Sequence, residues 1–263
     1  MPNRALLTAA TGMQAQQQNV DNIANNLANA GTTGFKRSRV QFQDLVYQNL
    51  RAAGGAVNAS TNLPVGLQIG LGTRSIANVR SYLQGDYQQT DNQTHMIVEG
   101  SGFFQIRQSN GDIAYTRDGS FNLDNQGQLV TSSGDAVEPS ITIPTEATSI
   151  SVGTDGTVSV TLPGQANAQN VGQLQLAVFS NPAGLDAVGG NLFKETGSSG
   201  QAVVGTPNAA GYGKISQGFL EGSNVNVVEE LVNMISAQRT YETNSKVITT
   251  ADRMLGTINQ AVN

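Results

Sequence analysis

Two apolar stripes of helical period stand at opposite ends of this chain, and any fold it adopts must shelter both. In the first, Leu6, Met13, Val20 and Leu27 recur every seven residues, with Ala9 or Ala10 and Ile23 or Ala24 between them. In the second, Val227, Met234, Tyr241, Ile248, Leu255 and Val262 keep the same step, widened by Leu231, Ala237, Ala251 and Ile258. The spacing predicts helices over 3–30 and 227–262. Asn226 followed by Glu229 is a capping-box-like start, and Glu229 and Glu230 place negative charge in the first turn, where the helix dipole favours it. Glu242 and Lys246 form a favourable i,i+4 pair. Gly31 follows the last periodic residue and is the expected C-terminal cap. Gly12, inside the first helix, costs roughly 1 kcal/mol relative to Ala. Isolated helices are marginal in water, so the simplest solution pairs the two ends as one coiled-coil layer, with everything between them as an insertion.

That insertion reads as β structure. Phe103 to Arg107 and Ile113 to Arg117 flank Asn110-Gly111, a strong hairpin signal. Phe121 to Asp124 and Gln128 to Thr131 flank a turn with Gly127, and Ser149 to Val152 and Thr157 to Thr161 flank Asp155-Gly156. Val171 to Phe179 alternates in part and reads as one longer strand. Short strands with Gly turns suggest a sandwich or barrel-like all-β domain. The fold class expected is therefore α+β. It comprises an N-terminal coiled-coil helix (1–34), an extended connector (35–75), an all-β outer domain (76–215), a return connector (216–223) and a C-terminal coiled-coil helix (224–263).

The polar face of the first helix is unusual. Between Ala5 and Phe35 the only charged residue is Asp21, and Gln14, Gln16, Gln17, Gln18, Asn19, Asn22, Asn25, Asn26 and Asn29 supply the rest. Such a face suits packing against other chains, because amides hydrogen-bond without the desolvation cost of charge. A weakly helical, partly disordered segment has the same composition, and both readings stay open.

No catalytic centre emerges. The chain has no Cys, which excludes disulfides, thiolate metal sites and a thiol nucleophile, and one His, His95, which reads as a surface or strand-edge residue. No Gly-x-Ser-x-Gly elbow and no Gly-Lys-Ser/Thr are present. Asp112, Asp118, Asp124 and Asp135 all fall at Gly-containing turns, where Asp belongs for turn reasons alone. Gly70-Leu71-Gly72 is half a dinucleotide fingerprint without its helix, and Asp124 to Gly127 lacks the carboxylates of a calcium loop. No metal or cofactor is expected. A net charge of −5 argues against nucleic acid, and the small basic cluster of Arg37, Arg39 and Arg51 reads as a solvated or salt-bridging face. No run of about 18 apolar residues suggests membrane insertion, and Met1 to Leu7 does not read as a cleavable secretory signal.

Specific strings then point to a family. Asn22-Ile23-Ala24-Asn25-Asn26-Leu27-Ala28-Asn29 running into Thr32-Thr33-Gly34-Phe35-Lys36 resembles the N-terminal signature of bacterial flagellar rod and hook proteins. Ser223 to Asn226, continuing through Glu229, Glu230, Leu231, Met234, Ile235, Gln238, Arg239, Tyr241, Glu242 and Asn244, resembles their C-terminal motif. Gly100 to Phe104, Tyr115 to Phe121 and Asp124 to Gly134 resemble the middle. Phe42 to Arg51 and Leu63 to Gly70 resemble the connector of the distal-rod type.

The resemblance implies a structural, non-enzymatic subunit that assembles with itself into a rigid hollow helical drive shaft carrying motor torque to the hook. The terminal helices would line that shaft and the β domain would form its wall. It further implies export through the flagellar type III apparatus without a cleaved signal, a periplasmic place in the distal rod, and contacts with proximal rod proteins, the hook protein and the peptidoglycan and outer-membrane ring bushings. The assembly seam would use Leu6, Met13, Val20, Ile23 and Leu27 with Met234, Tyr241, Ile248 and Leu255. Asn25, Asn29, Thr32, Gly34, Phe35 and Lys36 would shape the helix exit, with Gln238, Arg239, Glu242 and Asn244 as polar contacts. Leu45, Tyr47, Leu50, Leu63 and Pro64 would belong to a stiffening connector. A hook or proximal-rod relative is the nearer alternative, and a cell-wall-binding or peptidoglycan-active β protein the more distant one.

Overall fold

The computed structural model describes residues 2–51, 56–58, 61–62, 65–164 and 167–262. The chain is α+β, with a helix at each end and a β-rich middle. Helix α1 spans Pro2–Ala28 and helix α2 spans Val227–Val262. Asn226 caps α2: its Oδ1 accepts from the backbone N–H of Val228 at 3.0 Å and of Glu229 at 3.2 Å, satisfying donors that the first turn leaves open. Helix α1 stops two residues earlier than its stripe suggests. Gly31 is not the left-handed residue at its exit; that role falls to Gly34, with φ +69°. Asn29 starts the intervening turns, its carbonyl and its Oδ1 accepting from the Thr32 N–H and hydroxyl.

The chain forms two compact units, whose boundaries differ from those read off the sequence. The first comprises residues 1–28, 38–79 and 226–263; the second comprises 29–37 and 80–225. In the first unit the connector is a pair of β ribbons rather than plain extended chain. Strand Ser38–Asp44 pairs with Thr73–Arg80, and Tyr47–Arg51 pairs antiparallel with Leu67–Gly70. Gly72 (φ +121°) lies against α1, where an added Cβ would meet Thr11, so its glycine serves packing and not phosphate binding.

The second unit is built on the strand Phe103–Arg107. This strand pairs with Ile113–Thr116 across the Asn110-Gly111 turn, with Ala136–Glu138 on its other side, and with Leu176–Val178 at Phe103 and Phe104. Alternation along it sends Phe104 and Ile106 into one core and Phe103 into another. The first core is shared with Val158 and Val160 of a separate three-stranded sheet, Ser149–Val152, Thr157–Thr161 and Gln169–Gln173, so two sheets enclose it as in a sandwich. The second is an aromatic cluster in which Phe103 meets Tyr82, Phe179 and Phe193 edge-on, with centroids 5.7–6.1 Å apart.

Val171 to Phe179 is not one strand. It breaks at Leu174, whose N–H donates to Gly156 O, and its halves join different sheets. The return connector is itself largely strand: Lys214–Gln217 pairs with Met96–Glu99, and Phe219–Glu221 pairs with Tyr87–Gln89.

Candidate functional site: a buried ionic joint and an uncovered helix face

Where the chain enters and leaves the second unit, its two crossings are bound to one another. Gly34 N–H donates to Glu221 O at 2.7 Å. Two residues on, the Lys36 ammonium pairs with Glu221 Oε1 and donates to Leu83 O at 2.8 Å. Both side chains are 0% exposed. Arg117 Nε lies 3.6 Å from the other Glu221 oxygen, its NH1 and NH2 donate to Val98 O and Gly100 O, and its guanidinium stacks over Phe103. Gly85 N–H donates to Glu221 Oε1 at 3.0 Å. Asn224 completes the joint, accepting from Arg37 N–H and donating to Ser81 O and Leu83 O.

Two cations thus share one carboxylate away from water. Burial pushes the Lys36 and Arg117 side chains below their ordinary values, and Glu221 opposes the shift in both. Because the cluster is closed to solvent, it fastens backbone segments and presents no charge to a substrate.

Gly34 is required here twice over. Its φ is left-handed, and a Cβ would sit 2.7 Å from Asp118 N and 2.9 Å from Arg117 C. Gly34→Ala is expected to lower the stability of the β unit by roughly 2–5 kcal/mol, about 1–2 for the conformation and about 1–3 for overpacking. Denaturant unfolding checks this, and a change within 0.5 kcal/mol, the usual surface range, would refute it.

In the helical unit, α1 and α2 face each other across a mixed seam. Ile23 of α1 is buried and Leu6, Met13, Val20 and Leu27 are half-buried. On α2, Ala237 and Ala251 are buried and Met234, Tyr241, Ile248 and Leu255 are half-buried. Leu231 does not widen this stripe; it is exposed on another face. A Cβ at Gly12 would lie 2.8 Å from Asn244 Nδ2, and Asn26 Nδ2 lies 3.4 Å from Glu230 Oε2. Part of the amide-rich face is used within the chain: Asn22 and Asn26 both donate to Ser38 O at 2.8 Å, and Asn22 Oδ1 accepts from Asn78.

Among the motif residues, Asn29, Thr32 and Phe35 are half-buried, while Asn25, Gln238, Arg239 and Glu242 are exposed. In the connector Leu45 is half-buried and Tyr47 and Leu50 are exposed; Leu63 and Pro64 lie outside the described residues. Ser38 and Glu221 do not figure in the sequence reading, and Asn26 and Arg117 figure there only within the amide-rich face, a hairpin strand and the family strings. Asn26 had a signal, since Gly12, Asn19 and Asn26 repeat every seven residues beside the apolar stripe. His95 and the turn aspartates serve local structure: His95 Nδ1 faces the Thr90 hydroxyl at 3.0 Å, and Asp124 Oδ1 accepts from Gln126 and Gln128 N–H.

The face of α2 away from the seam is apolar and uncovered. Val228, Leu231, Val232 and Ile235 succeed one another over its first turns, with Val232 61% and Ile235 51% exposed. Val232 and Ile235 open onto a groove of about 430 Å³ that continues past Ser236, Arg239, Thr240 and Thr243. Exposed apolar side chains at helical spacing are a common signature of contact surfaces.

Comparison with known proteins agrees with this layout. Residues 6–36 match the model described as flagella basal body rod protein, 97–160 match the flagellar hook protein FlgE/F/G D1 domain, and 216–261 match the flagellar basal body rod FlgEFG protein C-terminal model. The flagellar basal-body rod protein FlgG of Borreliella burgdorferi is 50% identical, with 97% of each chain covered. That of Caulobacter vibrioides is 47% identical, with 98% of each covered. The flagellar hook-basal body complex protein FlhP of Bacillus subtilis is 32% identical over 97% of this chain and 98% of its own. Two helical ends matched in order around a matched β unit, at this identity and over nearly the whole length, place the chain in the flagellar basal-body rod protein family, as a structural subunit of the rod.

Proposed function

We propose that this chain is the subunit of the distal rod and polymerises with itself into a stiff, hollow helical shaft that carries motor torque to the hook. The observation that carries the reading is the uncovered apolar face of α2. In a self-assembling subunit such a face gains its burial from the next copy. In the polymer core α1 and α2 pair as a coiled coil, with Leu6, Met13, Val20, Ile23 and Leu27 facing Met234, Tyr241, Ile248 and Leu255. The subunit reaches the periplasm through the flagellar export apparatus without a cleaved signal. There it meets the proximal rod below, the hook above and the ring bushings around it. No catalytic step is part of this role.

The β ribbon of the connector is the second contact element. Tyr47, Leu50 and Leu67 on a short two-stranded ribbon, and Val46 and Val65 beside it, are exposed apolar side chains, and such a ribbon alone is marginally stable. Seated on a neighbouring copy, it would bridge subunits and resist bending. Deletion of residues 46–63 is therefore expected to leave polymerisation intact and give tubes that bend like a hook. Electron micrographs of the purified variant read this directly. Straight tubes with the parent's stiffness would refute the stiffening role.

A further inference from the structure

Two close approaches in the helix seam obey one rule. Gly12 and Asn26 are fourteen residues apart on α1, and their partners Asn244 and Glu230 are fourteen residues apart on α2, in the opposite order. The helices are therefore antiparallel, and both contacts belong to a single seven-residue register. Midway between them, Asn19 is half-buried and falls opposite Ala237, which is buried. The remaining seam positions Met234, Tyr241, Ile248 and Leu255 of α2 are apolar and seven apart, so that a shift by seven residues still buries an apolar side chain along this row. The apolar stripe is thus degenerate with respect to a one-heptad slip.

We infer that Asn26, Ser38, Glu230, Gly12 and Asn244 form a register lock that selects one of these alternatives, and so sets which residues of α2 lie uncovered. Ser38 holds the Asn26 amide from both sides: its N–H donates to Asn26 Oδ1 at 3.0 Å and its carbonyl accepts from Asn26 Nδ2 at 2.8 Å. The amide so fixed is aimed at Glu230 Oε2, a carboxylate only 1% exposed. A slip by seven in one direction puts Ala237 opposite Asn26 and carries Glu230 past the end of α1. A slip in the other direction puts the segment before α2 opposite Asn26, and Ala5, not Gly12, opposite Asn244. Either slip separates Asn26 from Glu230 and Gly12 from Asn244, and the second offers Glu230 only Asn19, whose amide Ser38 does not hold in place. Gly12 leaves room for Asn244, whose terminal amide nitrogen would lie 2.8 Å from an added Cβ and would have to move. Single polar residues fix register in other helical pairs by the same physics. The lock bears on the assembly reading only through the face it exposes.

The chain has no cysteine, so introduced pairs report register without background. In the full-length chain, A15C/Y241C should form a disulfide under mild oxidation, and the pair displaced by one heptad, T8C/Y241C, should not, the ratio exceeding about tenfold. Placing both pairs in an E230L/N244A background makes the α2 seam more apolar while keeping the Asn26–Ser38 bonds. Helix content by circular dichroism should hold, and the displaced pair should then cross-link to within about threefold of the native pair. An unchanged ratio would overturn the lock. So would loss of both cross-links together with helix content, which would make these side chains stabilising but not register-selecting. Because cross-linking reads helix register and polymerisation reads assembly, failure of one is distinguishable from failure of the other.

Discussion

Replacing Glu221 with Ala is expected to cost the β unit about 3–5 kcal/mol, the range for stripping one partner from a buried ion pair. Domains of ordinary stability have roughly 5–15 kcal/mol in total, so the variant should be largely destabilised at moderate denaturant. The size follows from what remains. Lys36 and Arg117 stay buried with no counter-charge, and Gly85 N–H loses its carboxylate acceptor. The K36M/E221Q pair separates these effects. It removes one buried cation, keeps an oxygen for Gly85 N–H, and leaves Arg117 on Val98 O and Gly100 O. It should recover part of the loss, because one of the two uncompensated buried cations is gone. Urea unfolding of the three chains measures both quantities. A cost below about 1 kcal/mol for Glu221→Ala, the worth of an exposed pair, would show that the cluster is not the fastening described.

Much of this molecule is written locally. The seven-residue stripes mark both helices, Asn226 marks the start of α2, and Asn110-Gly111, Gly127 and Asp155-Gly156 mark hairpins, because each depends on residues within a few positions. What stays hidden depends on distant partners. The family string marks Gly34 as a turn residue and the apolar stripe marks Gly31 as the cap; the packing of Arg117 and Asp118, far along the chain, leaves no room for a Cβ at 34, and Gly34 takes the left-handed conformation. Glu221 follows Phe219-Leu220 and looks like a solvated strand end until Lys36 arrives from the other terminus. Val171 to Phe179 keeps its alternation through the break at Leu174, since the strands that divide it belong to two sheets.

The α2 face is an instructive case for the site. Periodicity detects one stripe, yet α2 is apolar on two sides over its first turns. Leu231 was drawn into the seam because the two sides adjoin, whereas the seam at that level is Glu230 and Met234. A polar residue in the seam and apolar residues outside it invert the usual pattern, and only the partner helix resolves which is which. The lysine of the Gly-Phe-Lys string was legible as important, but not as buried, because an ammonium is rarely enclosed without a carboxylate that sequence alone does not bring near.

In the proposed polymer the exposed face of α2 is covered by another copy. V232D/I235D places two carboxylates on that face, where they remain in water in a monomer and would be desolvated in a polymer. Desolvating even one unpaired charge costs several kcal/mol. The concentration needed for assembly should therefore rise at least about a hundredfold, a factor of ten for each ~1.4 kcal/mol. The thermal midpoint of the soluble chain should stay within about 2 °C, since both side chains are already exposed there. The most direct measurement is sedimentation of parent and variant at matched concentrations, with electron microscopy of the pellets. The account predicts rods from the parent and a clear pellet fraction only from it; rods of equal yield from V232D/I235D would contradict it.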